Sequence, residues 1–306
     1  MNKWFAMFIS ILLVAAMSAC GKQTTGENGK IKVTTTIAQI ADAVQNIGGE
    51  HVEVTSLMGP GVDPHLYQAS QGDMKKLSDA DIIFYNGLHL EGKMGEIFEK
   101  IEKQKPTIPV ADAIPKDVLL NDAANSSAHD PHVWFSIPNW LNAVDAVEKE
   151  LAELNPDLKE EFAANADEYK TKLQEMDNYA KEQIDSIPEK SRVLVTAHDA
   201  FAYFGKEYGF EVMGLQGLST DSEYGLKDVQ DLVDVLVERD IKAVFVESSI
   251  SEKSINAVVQ GAKEKGHEVE IGGELYSDAM GEEGTEEGTY LGMFKHNIDT
   301  IVSSLK

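Results

Sequence analysis

The sequence predicts an α/β protein of two similar lobes, each a mostly parallel β-sheet flanked by helices, bridged by one long rigid helix. Three observations predict it. Short β-branched runs alternate with segments of helical apolar spacing, the pattern of parallel sheets in α/β lobes. The order strand, helix, glycine, strand occurs after residue 31 and again after residue 192. Between these stretches an apolar stripe with steps of three and four runs from Leu158 through Phe162, Ala166, Tyr169, Leu173, Met176 and Ala180 to Ile184.

The elements follow in chain order. MNKWFAMFISILLVAAMSAC has a positive start at Lys3, an apolar run from Trp4 to Ala16 and a small-residue end. It reads as a signal peptide over 1–19, too short to span a bilayer comfortably. Cys20 is the only cysteine, so no internal disulfide forms. Its setting resembles a bacterial lipobox, with Met17 where Leu is usual, and predicts a lipidated Cys20 at the head of a polar tether, 20–30.

The N-terminal lobe, 31–137, opens with the strand IKVTTT, a helix with apolar Ile37, Ile40, Val44 and Ile47 and a Gly-Gly stop, and a second strand HVEVTSLM. DIIFYNG and TIPVAD continue the sheet. The helical region, 138–190, starts at Ser136 and Pro138, is interrupted at Asn155-Pro156, and stops at Ile187-Pro188. Its second part, about thirty residues at ~1.5 Å each, makes a rod of roughly 45 Å that would restrain hinge motion. The C-terminal lobe, 191–306, repeats the scheme: RVLVTA, the short helix of HDAFAYFGKEYG, FEVMGLQG, then KAVFVESS and EVEIGGEL.

Lys and Arg number 27 against 52 Asp and Glu, a formal charge of −25. That balance excludes a nucleic-acid partner, which requires a basic face, and favours cations near clefts. In open parallel sheets ligands bind beyond the carboxyl ends of strands. His65, in MGPGVDPHLYQ, follows the second strand; His198 follows RVLVTA; Asp278, in LYSDAM, follows EVEIGGEL; His132 lies in a loop before the long helices. If the lobes face each other, three imidazoles and a carboxylate meet in the cleft, a donor set for a divalent transition metal. Pro64 and Pro131 stiffen the backbone before two of the histidines, and Trp134, Phe135 and Tyr67 are placed to keep water out. Read singly, each residue has an ordinary alternative: a His in a Gly/Pro loop as a solvated residue, His198 as a core hydrogen-bonder, Asp278 as a helix cap.

GPGVDPHLYQ, NGLHLE, DPHVWFS, VTAHDAFAYF, VFVESS and GGELYSDAMG together resemble the solute-binding lipoproteins of bacterial manganese and zinc ABC transporters, from about residue 31 to the C-terminus. The resemblance implies two α/β lobes bridged by a rigid helix, one metal ion between them, and delivery to a membrane permease driven by a cytoplasmic ATPase. It assigns the ligands to His65, His132, His198 and Asp278, with Glu247 of FVESS behind them. His129 is then no ligand, since Pro131 disfavours a helix that would let it share an ion with His132, and His89 is the runner-up imidazole. His51, His267 and His296 read as surface or packing residues.

By ligand type three imidazoles and a carboxylate suit Zn²⁺. No His-rich loop precedes His132, however, and GGELYSDAMG and HNIDTI look most like manganese-uptake members, so the expected cargo is Mn²⁺, with Zn²⁺ the alternative. The expected protein is a monomer, anchored by lipid at the extracytoplasmic face of the cell membrane. An enzyme is not expected, because HExxH is absent and four protein ligands leave no position for water. A metal-stabilised surface adhesin is the alternative of another class.

Overall fold

The computed structural model describes residues 29–122 and 128–306. The signal peptide, Cys20 and nearly all of the tether expected at 20–30 lie outside the described residues. No described helix is long and apolar enough to cross a membrane.

In the first lobe, β1 (Ile31–Thr35), β2 (Val52–Ser56), β3 (Ile82–Tyr85) and β4 (Thr107–Pro109) form one parallel sheet in the order β2-β1-β3-β4. The register pairs Val33 with Val54 and with Ile82. Helices α1 (Ala38–Gly48), α2 (Gln71–Asp79) and α3 (Gly95–Ile101) connect the strands. Ser70 caps α2 in a capping box with Asp73, which fixes where the loop after β2 ends.

Two helices follow. In α4 (Ile137–Leu154) the Ser136 hydroxyl accepts from the Asn139 N–H, and Pro138 occupies the first turn, where its missing N–H costs nothing. After a 3₁₀ turn over Pro156–Leu158 comes α5 (Lys159–Ile184), 26 residues long, so about 39 Å. It is shorter than the stripe suggests. Leu158 belongs to the preceding 3₁₀ turn, and beyond Ile184 the chain tightens into turns in which the Ile187 N–H bonds the Ile184 carbonyl. α5 packs on α1 of the first lobe and on α9 of the second, and so does bridge them.

In the second lobe β5 (Val193–His198) pairs with β6 (Glu211–Gln216), and β7 (Ala243–Glu247) with β8 (Glu270–Leu275), each in parallel. β5 and β7 lie side by side, but no ladder joins them, so the expected sheet is divided into two pairs. Helices α6 (Ala202–Tyr208), α7 (Leu226–Glu238), α8 (Lys253–Glu264) and α9 (Tyr290–Leu305) cover them. Gly214 of β6 is required here. A Cβ at that position would stand 2.4 Å from the Asp199 nitrogen, so only glycine lets the chain turn directly after His198.

Alternate side chains of the second lobe's strands enter different cores. Leu194 and Phe245 join a continuous core that runs from Ile31 through Trp134, Trp140 and Tyr169 to Val302. Val193, Val195, Val244 and Val246 face a smaller core with Leu232, Leu236, Ile255 and Val258. Strands buried on both faces are what a parallel sheet under two helix layers requires. The larger core makes the helical bridge inseparable from both lobes, and it fixes the spacing of the cleft.

Candidate metal centre

The four side chains arrive from separate elements. His65 sits in the loop between β2 and α2, and His132 directly precedes a 3₁₀ turn, Val133–Phe135, that leads into α4. His198 is the last residue of β5, and Asp278 lies just beyond β8. All four are buried, and one donor atom from each lies within 4.8 Å of every other. Donors held at about 2.1 Å from one ion in a tetrahedron are about 3.4 Å apart. Here His65 Nε2 and His132 Nε2 are 3.3 Å apart. Asp278 Oδ1 stands 3.4 Å from His132 Nε2, and Oδ2 stands 3.4 Å from His198 Nε2 and 3.6 Å from His65 Nε2. The spacing matches one small cation at the centre.

Each imidazole is oriented by a carboxylate. Asp130 Oδ1 accepts from the His132 backbone N–H at 2.9 Å and from Nδ1 at 2.7 Å. Glu247 Oε1 accepts from the His198 backbone N–H at 2.9 Å, and Oε2 lies 2.6 Å from His198 Nδ1. With Nδ1 directed at an acid, Nε2 is the ring nitrogen turned to the centre, and its lone pair serves an ion once any proton there is displaced. Asp63 Oδ1 accepts from the His65 N–H at 2.8 Å, and among the described residues only Asp278 brings a carboxylate to the His65 ring. Asp63-Pro64-His65 and Asp130-Pro131-His132 share one device, an Asp that accepts from the backbone N–H of the His two residues on, but only Asp130 also reaches its ring. The repeated Asp-Pro-His triplet is the sequence signal for these two acids, which sequence reasoning passed over in favour of the prolines.

Asp278 is held from across the cleft. Gln39 of α1 donates to its carbonyl at 3.2 Å, and Trp134 Nε1 donates to the Ser277 carbonyl at 3.1 Å. Both carboxylate oxygens are buried, and their nearest polar neighbours among the described residues are the three Nε2 atoms at 3.4–3.6 Å, too far for a strong hydrogen bond. A buried, unpartnered carboxylate is costly, and a cation removes that cost.

The electrostatics differ from ring to ring. Burial pushes His65 down to about 3, against the pull of Asp278. Burial also opposes charge on His132, but Asp130 and Asp278 outweigh it and hold the ring at about 9. His198 is raised well above the ordinary histidine value, burial being overcome by Glu247 and Asp278. Burial would raise Asp278, yet His198, His132 and His65 hold it well below the usual carboxylate range.

Trp134 stacks edge-on against His132, with ring centroids 5.4 Å apart, and Phe135 packs on Phe201. Tyr67 takes another part: its hydroxyl donates to Asp73 at 2.7 Å and so ties the His65 loop to the cap of α2. His129 stays outside the group, in a β-bridge with Asn121, and His89 is exposed at φ 66°. His51 contacts Glu161, while His267 and His296 meet the carbonyls of Ile241 and Glu274.

Residues 33–304 match the family described as zinc-uptake complex component A, periplasmic (ZnuA). The chain is 63% identical over 293 residues to the manganese-binding lipoprotein MntA of Bacillus subtilis, covering 95% of each. It is 47% identical over 294 residues to the zinc-binding protein TroA of Treponema pallidum, covering 96% of this chain and 95% of that one. The solved structure of that periplasmic zinc-binding protein superposes with a TM-score of 0.88 at 49% identity, covering 90% of this chain and 99% of the other.

Proposed function

Because this chain belongs to the ZnuA family of periplasmic metal-uptake components, we propose that it captures a divalent transition-metal ion, Mn²⁺ by preference, and hands it to an ABC permease. His65, His132, His198 and Asp278 are the ligands in this reading. The observation that carries it is the buried Asp278 carboxylate, whose two unpartnered oxygens face three Nε2 atoms at 3.4–3.6 Å. Asp130 and Glu247 are the acids that orient His132 and His198 and raise their basicity.

The cargo is Mn²⁺ because relatives named for manganese include both MntA and the streptococcal PsaA lipoproteins. Two oxygens on Asp278 permit a bidentate grip and a coordination number above four. The donor set itself, three imidazoles at tetrahedral spacing, favours Zn²⁺ as the second reading, as does the likeness to TroA. We assign no turnover to the chain: four protein donors occupy the positions a catalytic ion would keep open for water. The same reading places it as a monomer at the extracytoplasmic face, tethered through lipid on Cys20, with a permease and its ATPase as partners.

Elemental analysis of protein purified without added metal, followed by competitive titration with Mn²⁺ and Zn²⁺, tests the reading. One equivalent of metal that is lost in His198→Ala supports the site. Growth of a deletion strain rescued by zinc and not by manganese would overturn the choice of cargo.

A further inference from the structure

We propose that Thr220 and Asp221, in the loop between β6 and α7, latch the cleft over His65, and that the ion enters and leaves past His65 when this latch opens. The inference rests on the metal-site reading above. Asp63 spans the two sides: Oδ1 accepts from the His65 N–H at 2.8 Å, and Oδ2 accepts from the Thr220 hydroxyl at 2.6 Å. One carboxylate therefore ties a ligand loop of the first lobe to a loop of the second. The next residue makes a second crossing, with Lys93 Nζ donating to Asp221 Oδ2 at 2.8 Å.

The ligand under the latch is the weakly held one. His132 and His198 each have a carboxylate on Nδ1 as well as on the backbone N–H, whereas Asp63 reaches His65 only through its backbone. Above His65 lies a cavity of about 140 Å³. His65 is the one of the four ligands that lines it, together with Gly217, Leu218, Ser219 and Ser222 of the latch loop and residues of the loops around Leu88 and His129. Moving the latch loop opens the cavity and frees His65 in a single motion. The other three donors stay fixed by the core. Thr220 and Asp63 are thus positioning residues: they touch no ion, and they set how long His65 stays in place.

The two crossings differ in kind. The Asp63–Thr220 bond is partly buried and charge-assisted, so its loss changes release by roughly tenfold or more. Lys93 and Asp221 are largely exposed, so salt screens their pair.

The mature chain loaded with Mn²⁺ and mixed with excess EDTA tests the proposal, with release followed by the fluorescence of its two tryptophans, of which Trp134 lies against His132. Thr220→Val is expected to release Mn²⁺ roughly ten times faster than the native chain, and Thr220→Ser, which keeps the hydroxyl, to restore the native rate. Native release is expected to quicken with ionic strength through the Lys93 crossing, and Lys93→Gln to flatten that dependence. Native-rate release from Thr220→Val, or equally fast release from Thr220→Ser, overturns the latch while leaving the site standing. A native chain that retains neither Mn²⁺ nor Zn²⁺ overturns both.

Discussion

The first lobe carries an unbroken four-stranded sheet, β2-β1-β3-β4, while the second carries the corresponding strands as two separate pairs, β6-β5 and β7-β8. The break falls beside the site. At the ends of β5 and β7, the His198 N–H bonds the carboxylate of Glu247, not a neighbouring backbone carbonyl. The second lobe lacks a ladder there, and His198 and its supporting acid stand at adjacent strand ends. The first lobe keeps its sheet and presents His65 on a loop, held by Asp63 and closed over from the other side. The movable histidine of the proposed latch is the loop-borne His65 alone, since His132 of the same lobe is held by Asp130 and His198 by Glu247.

The largest test of this division removes the donor that all three rings share. Asp278→Ala is expected to weaken binding by more than the about 100-fold that marks loss of an outer partner, measured by competitive titration. Core substitutions separate the lobes next. Leu236→Ala, in the smaller core, is expected to cost about 2–5 kcal/mol. Hydrogen exchange should show the opening confined to α7, α8 and their strands, whereas Ile298→Ala in the continuous core should loosen both lobes. Spread of the Leu236→Ala effect into β1–β4 would erase the distinction.

Glu247→Gln is expected to reduce affinity about 10–100-fold, with Asp130→Asn close behind, since each acid orients a ring through Nδ1. Asp63→Asn, which acts on His65 through the backbone only, should change equilibrium affinity less than either.

The pH dependence distinguishes the rings more finely. His132 in the metal-free protein is held at about 9, so it carries a proton at pH 7 that an incoming ion must displace, and His198 is shifted in the same direction by Glu247 and Asp278. His65, pushed down to about 3, carries none. Affinity therefore falls as pH falls, by about tenfold per unit for each proton displaced. Calorimetry in buffers of different ionisation enthalpy should show net proton release near pH 7, and release of the same size in His65→Ala. The raised pKa of His132 also stabilises the metal-free fold below about pH 6.5, a contribution lost as pH rises through about 9. Metal-free protein should accordingly melt lower at pH 9 than at pH 6.5.

The strand–helix alternation and the bridging helix were readable because they depend on local spacing: Ile31 and Val33, or Phe162 and Tyr169, declare a buried face whatever lies opposite. The convergence of His65, His132, His198 and Asp278 was readable through the rule that ligands gather past strand ends and in interdomain loops, and the resemblance over several motifs named the same four. The supporting partners were much less so. Gln39 and Asp278 are 239 residues apart, Asp63 and Thr220 are 157 apart, and no periodicity connects such pairs. The split of the second sheet was equally hidden, since β5 and β7 read as ordinary buried strands. By itself, then, the chain's order of residues determined its elements, its lobes and the addresses of its donors, because each follows from neighbours a few positions away. Only the folded packing decided which acids stand behind which rings and which loops meet across the cleft. Those are matters of ångströms between distant loops, set by one core that both lobes share.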